Sequence, residues 1–255
     1  MTTDLRDLLQ RVAAGELSPE EGQRLLDETT PAAPTLVPGD GPAVAHVAIR
    51  GTGVRLTVVA DPTVATAVAD GPHRVERDGD RLVIRSGSDG DGYQTTSGPA
   101  SVMSWINSGL RGGTRLQVRV NPDLPLEIAV VAGSLTVSGP QAPLVVSVEA
   151  GAAKLTGGRG PLRMTTMTGS ADVSWQFTGE SSIGVELGSA AIRVAAGSDA
   201  VVTADGSLSS IALRGPDGTT YGTQTGSAIP AVTAGAGTGA LAVAVRLGSA
   251  EVTVA

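Results

Sequence analysis

The sequence VVAGSLTVSG at residues 130–139 places a glycine and a small residue between two short runs of alternating apolar residues. The same pattern returns as EAGAAKLTGG at residues 149–158 and as MTGSADVSWQ at residues 167–176. Alternation with a period of two predicts β-strands that bury one face. The central glycine changes the parity of that alternation, as a bend or bulge does. The sequence therefore predicts a strand–corner–strand unit that recurs every 18 residues.

This unit recurs through the second half of the chain. The positions five and three before each glycine, and two and four after it, are apolar in the clear repeats and are predicted to be buried. The columns slip by one residue at the fifth repeat, where Ile211 takes the inward position, and weaken at the sixth. The seven predicted corner glycines are Gly133, Gly151, Gly169, Gly188, Gly206, Gly226 and Gly248.

A unit this short cannot bury its own apolar face, but stacked units can bury a continuous core. The predicted fold class is therefore all-β, a single-stranded β-solenoid (β-helix) with about 18–20 residues per coil. Regular coils are predicted over residues 123–255. Residues 44–122 are interpreted as irregular coils of the same body, with a loop insertion at residues 86–113.

A small α-helical hairpin is predicted at residues 1–28, before a Pro/Gly linker at residues 29–43. Gly15 ends the first helix, and Ser18-Pro19 starts the second as an N-cap followed by proline at the first helical position. The hairpin either caps the body or docks on a partner. Its apolar docking face is predicted to consist of Leu5, Leu8, Leu9, Val12, Leu25 and Leu26.

Composition excludes several classes of protein. The 255 residues include no cysteine, which excludes disulfides, a cysteine-based zinc site and a thiol nucleophile. The net charge of −7 without a basic cluster argues against a nucleic-acid partner. Neither a signal peptide nor a transmembrane helix is apparent, so a cytoplasmic location is expected, with membrane association left open.

The sequence does not indicate a catalytic centre. His46 and His73 are the only histidines, and neither belongs to a triad motif. A polysaccharide-cleaving β-helix needs clustered acids on one face, but the acids of the coils occupy no common position. We therefore expect no enzyme activity, catalytic residue, metal site or cofactor. The scattered acids are Glu127, Glu149, Asp172 and Glu186.

Two groups of apolar residues are candidate contact surfaces. The first lies inside the loop insertion, as a partner patch or as a cap over the core, and consists of Met103, Trp105, Ile106 and Leu110. The second is the last repeat, where Val252 and Val254 continue the inward alternation and Leu247 lies beside the corner. An uncovered terminal coil exposes an unpaired strand edge. This predicts end-to-end self-association, as a dimer or a filament.

The body resembles the bacterial putative-adhesin β-strand-repeat family, whose function is largely undefined. The likeness is carried by LQVRVNPDLPLEIAVVAGSLTVSG and GPLRMTTMTGSADVSW and covers residues 44–255. The segment LLQRVAAGELSPEEGQRLLDE is similar to the short helical (SHOCT-like) modules that precede such bodies. This resemblance implies a non-catalytic repeat protein, and some proteins of this layout belong to envelope-stress systems of Gram-positive bacteria.

Three functions remain open at this point. The first is a non-catalytic scaffold that self-associates or binds a membrane or cell-envelope protein. The second is a β-helix that binds or degrades polysaccharide, for which Trp175 and Phe177 are a same-face aromatic pair. The third is a cytoplasmic envelope-stress regulator that docks through the helical hairpin.

Overall fold

The computed structural model describes residues 43–87, 114–222 and 229–255, which form fifteen β-strands and their connections without a helix. This confirms the all-β prediction for these residues; the closed solenoid remains a prediction. The strands are β1 (His46–Thr52), β2 (Val54–Ala60), β3 (Ala67–Asp70), β4 (Arg74–Asp78), β5 (Arg81–Gly87), β6 (Thr114–Val120), β7 (Leu126–Ser138), β8 (Leu144–Arg159), β9 (Leu162–Gln176), β10 (Glu180–Val194), β11 (Ala200–Gly206), β12 (Ser209–Arg214), β13 (Thr220–Gly222), β14 (Val232–Ala234) and β15 (Gly239–Val254).

Strands β7 to β10 form because their apolar residues alternate on both sides of a central corner. The predicted inward columns are buried, and the residues between them face outward. Burial of branched side chains on one face is the main stabilising contribution in such sheets. The prediction is confirmed at Val130, Leu135, Val148, Leu155 and Val173, each at most 1% exposed.

Equivalent positions of successive repeats pair with each other in parallel register. Leu126 pairs with Leu144, and Leu144 pairs with Leu162, so each strand lies beside the strand 18 residues further on. The corner glycines therefore stack, and Gly151 lies between Gly133 and Gly169 with a φ of 140°. A Cβ atom on Gly151 would lie 1.9 Å from the carbonyl oxygen of Gly133. The corner therefore requires glycine.

The order of the stack differs from the order of the sequence at its C-terminal side. Strand β15 pairs with β10 on one edge and with β11 and β12 on the other. Gly248 accordingly stacks on Gly188, and its other neighbour is Ser209. Gly206 pairs with Val245 and is not at the corner glycine position, so the prediction of a corner there is wrong. The predicted corner Gly226 lies outside the described residues.

The N-terminal side of the described body has the same arrangement. Strands β1 and β2 pair with β7 on one edge and with β5 and β6 on the other, so the first repeat in sequence is the second in the stack. Short antiparallel strands follow outward at both sides: β3 and β4 here, β13 and β14 at the other side. Strand β4 has the sequence RVERD, and charged side chains on an edge strand discourage the pairing of a further strand.

Several predictions concern residues outside the described part of the chain. These are the helical hairpin of residues 1–28, nearly all of the linker and of the loop insertion, and the apolar patch from Met103 to Leu110. The predicted domain boundaries stay predictions. In the described ranges, no helical segment has the length and apolar character that crossing a bilayer requires.

Candidate functional surface

Exposed apolar side chains line one outer corner of the stack. Leu187 in β10 pairs with Leu247 in β15, and Leu208 lies in the next repeat, between β11 and β12. Their exposed fractions are 50%, 47% and 71%. Met167 lies in β9, on the other side of β10, at the position equivalent to Glu186 and next to Thr168, which pairs with Leu187; it is 49% exposed. We call these four residues the corner ridge.

The ridge is a consequence of the corner itself. The inward–outward alternation is interrupted just before each corner glycine, so two consecutive residues face solvent there. In β10 and β15 these pairs are Glu186-Leu187 and Arg246-Leu247. A leucine next to a corner glycine is thus forced outward by the backbone, whereas the same residue two positions earlier would be buried.

Two opposite charges flank the ridge at equivalent positions. Glu186 and Arg246 each stand two residues before a corner glycine, in adjacent repeats, and both are exposed. Since neighbouring parallel strands are about 4.8 Å apart, an acidic and a basic side chain follow each other along the stack beside the leucines.

Leu208 has a φ of 56° and is the one non-glycine residue with positive φ in the described ranges. For a leucine the left-handed conformation is unfavourable by about 1–2 kcal/mol relative to the right-handed one. Glycine would relieve this strain, but the chain has an exposed leucine here, one residue before Ser209, which pairs with the corner glycine Gly248.

A shallow depression of about 530 Å³ lies just beyond the corner glycines. It arises because small residues occupy the first and second positions after the corner in β9, β10 and β15, and Ser210 occupies the first position in β12. Asp172 and Glu251 are the acids at its edge, and Lys154 lies 3.6 Å from the carboxylate of Asp172. Within the described residues, no group of three or more His, Cys, Asp or Glu side chains is placed to hold a metal ion.

The residues predicted for end-to-end self-association occupy two different environments. Val252 and Val254 are 0% and 2% exposed, inside a strand that is paired on both edges. The prediction that the last repeat forms an open end is therefore wrong, because β11 and β12 cover it. Leu247 is exposed, but on the corner ridge.

The aromatic pair considered for polysaccharide binding is buried. Trp175 and Phe177 are both 0% exposed, which corrects the idea of a surface platform. The indole Nε1 of Trp175 donates a hydrogen bond to the carbonyl oxygen of Gly160 at 2.9 Å. Gly158 leaves the space for the ring, since a Cβ there would lie 2.0 Å from it.

The two histidines lie in separate local contacts. The Nε2 atom of His46 is 3.7 Å from the carboxylate of Glu127, which also forms an ion pair with Arg81. The Nδ1 atom of His73 lies 2.6 Å from the carbonyl oxygen of Gly71. Neither contact includes a hydroxyl group that a histidine could activate as a nucleophile.

Asp199 links two segments that precede strands of the C-terminal side. Its carboxylate accepts hydrogen bonds from the hydroxyl and the backbone N–H of Thr238, at 2.6 and 3.0 Å. These bonds lower the pKa of Asp199 below its ordinary value of 3.8, and the bond from the hydroxyl has the largest effect. Similar Asp–Thr contacts lower the pKa of Asp61 and of Asp217 within local turns. The three aspartates therefore stabilise connections.

Comparison with known proteins gives one match, to a solved structure. No protein-family model matches the sequence, and no curated protein sequence matches it. The matching structure is the crystal structure of a "putative cell adhesion protein" from Clostridium sporogenes ATCC 15579. It is similar at 10% sequence identity with a TM-score of 0.43, over 84% of this chain and 94% of that chain.

Sequence reasoning identified Leu247 but missed the rest of the ridge and its charges. A signal was present in the tetrapeptide LGSA, which occurs at residues 187–190 and again at residues 247–250. Identical corners favour direct stacking, because equivalent side chains then meet in register. This signal could have placed Leu187 beside Leu247.

Proposed function

We propose that the protein is a non-catalytic β-solenoid scaffold, whose stacked coils bind a cell-envelope protein or a second copy of the chain. The observation that carries this proposal is the in-register pairing of equivalent positions along β7, β8, β9, β10 and β15. Such a stack buries a continuous core and presents a regular outer surface.

The lengths of strands and connections support the solenoid. Strand β7 has 13 residues and would span about 43 Å if it were straight. Residues 139–143 alone return the chain to the start of β8, and five residues reach about 18 Å at most. These lengths support a corner at Gly133 that folds the strand back on itself, so that each repeat would close as a coil.

The covered sides of the stack favour a scaffold of defined length over an end-to-end filament. Antiparallel strands lie outside both outermost repeats, and the charged side chains of β4 discourage the addition of another strand. The envelope partner rests on the sequence resemblance to the putative-adhesin family, and a cytoplasmic location, with membrane association left open, stays the expectation from the sequence. The resemblance also supports a non-catalytic role.

Deletion of one complete coil tests the architecture. Residues 144–161 form one 18-residue repeat, and their removal joins Pro143 to Leu162, which is equivalent to Leu144. The shortened protein should keep its β circular dichroism and cooperative unfolding, because β7 can pair with β9 in the same register. Deletion of residues 144–152 is the matched control and should prevent folding, since it places half a coil out of register. Equal loss of folding in both variants would overturn the solenoid.

A second experiment tests the non-catalytic role. The purified protein is incubated with a panel of neutral and acidic polysaccharides, and new reducing ends are measured beside the Asp172→Asn variant. The scaffold hypothesis expects no product above background from either protein. Cleavage by the wild type that is lost in Asp172→Asn would contradict the scaffold hypothesis and indicate a polysaccharide-degrading function.

A further inference from the structure

We propose that the corner ridge joins two copies of this chain side by side, with their stacks antiparallel. This inference rests on the proposed scaffold and names one of its partners. A two-fold axis would lie in the plane of contact, across the stack and midway between β10 and β15. In such a contact, a residue on one side of the axis faces the partner's residue that normally lies equally far on the other side. Both copies use the same surface patch.

The two central leucines of the ridge match each other under this symmetry. Leu187 and Leu247 lie in adjacent repeats on either side of the proposed axis, so Leu187 faces the partner's Leu247 and Leu247 faces the partner's Leu187. The next repeats outward contribute Leu208 on one side and Met167 on the other; Met167 stands one residue out of register with Leu208, so these two meet diagonally across the contact. All four are about half exposed or more in a single copy.

The charges select the antiparallel orientation. Glu186 and Arg246 occupy equivalent positions in β10 and β15, so an antiparallel contact places Glu186 opposite the partner's Arg246, twice. A parallel two-fold contact would instead place Glu186 opposite the partner's Glu186, and the two arginines opposite each other. Like charges in contact are strongly unfavourable, so the ridge is self-complementary in one orientation.

The backbone at Leu208 supports a contact role for this side chain. Leu208 has a backbone conformation that glycine would adopt without strain, and its side chain is the most exposed of the ridge at 71%. Strain that packing within one copy does not require points to a use for the residue elsewhere.

The size of the ridge sets the expected affinity. Stable interfaces bury about 800 Å² on each partner, and a ridge a few side chains wide offers less. We therefore expect a reversible dimer with a dissociation constant on the order of micromolar.

A charge-swap experiment tests the antiparallel contact. The full chain is analysed by sedimentation equilibrium from about 1 to 500 μM, a range that brackets a micromolar constant. Glu186→Arg and Arg246→Glu should each weaken the dimer by about tenfold or more, because each creates like-charged pairs. The double variant should recover the wild-type constant. A wild type that stays monomeric throughout, or a double variant weaker than both single ones, would overturn the inference.

A second variant separates contact from folding. Leu208→Gly removes the side chain and the strain together, so it should weaken the dimer about tenfold while its thermal midpoint stays unchanged or rises. Val131→Ser, at an exposed corner three repeats from the proposed axis, is the matched control and should leave the dimer unchanged. Equal weakening by both variants would contradict the assigned surface. These results leave the coil-deletion test unaffected, so this inference and the scaffold can fail separately.

Discussion

The stacked corner glycines yield a prediction whose size can be worked out from the structure. Strand β8 contains Gly151, at the corner, and Gly157, six residues later. Both have positive φ, 140° and 65°, so both disfavour a side chain. They differ in space: a Cβ on Gly151 would lie 1.9 Å from the carbonyl oxygen of Gly133, whereas a Cβ on Gly157 would meet no atom within 4 Å.

The two alanine variants should therefore differ several-fold in their effect on stability. For Gly151→Ala, backbone strain contributes about 1–3 kcal/mol. Moving the neighbouring strand away loses about two backbone hydrogen bonds, each about 1 kcal/mol. The expected loss in the free energy of unfolding is about 3–5 kcal/mol. Gly157→Ala should lose about 1 kcal/mol, because the left-handed strain is partly offset by a less flexible unfolded chain.

Thermal unfolding followed by far-ultraviolet circular dichroism measures the difference. For a domain of this size, the expected decreases in Tm are about 10 °C for Gly151→Ala and about 3 °C for Gly157→Ala. Urea unfolding provides the free energies directly. Equal decreases for the two variants would refute the reasoning, since positive φ alone would then explain both and the contact between corners would contribute nothing.

Two further changes test the core and the connections. Thr166 is fully buried between Val148 and Val185, and its hydroxyl has no hydrogen-bond partner among the described residues, so Thr166→Val should stabilise the protein by about 1–2 kcal/mol. Urea unfolding measures this beside the exposed control Thr165→Val, and no gain relative to that control would contradict it. The lowered pKa of Asp199 stabilises the fold fully above about pH 4 and progressively less as the pH falls through the folded-state pKa. Asp199→Asn should therefore flatten the loss of Tm between about pH 5 and 2, and an unchanged pH profile would show that the bonds to the carboxylate do not contribute.

The sequence was sufficient to predict the repeat unit but not the order of the stack. Alternation and glycine spacing are local properties, and they correctly predicted the corners at Gly133, Gly151, Gly169 and Gly188. Any two repeats with matching alternation can pair, so spacing along the chain does not decide which repeat lies beside which. The position of β15 between β10 and β12 depends on this choice.

The candidate surface was less predictable than the core for a related reason. Burial follows from alternation, whereas exposure at a corner depends on how the backbone turns there. Leu208 illustrates this. Its positive φ is a consequence of the bend, and its position beside Leu247 is a consequence of the altered stack order. The buried position of Trp175 could have been predicted, because it continues the inward alternation of β9.

The insertion of β15 constrains how the chain folds as it is synthesised. Strands β7 to β10 can assemble one after another, each on the strand made just before it. Strands β11 and β12 cannot dock in the same way, because their neighbour β15 is translated later. Ser209, for example, can pair with Gly248 only after Gly248 has been synthesised. During that interval the edge of β10 is open, and closing the stack requires contacts distant in sequence, which form slowly. The interval before β15 emerges is therefore when the nascent chain is most exposed to mispairing and most dependent on a chaperone.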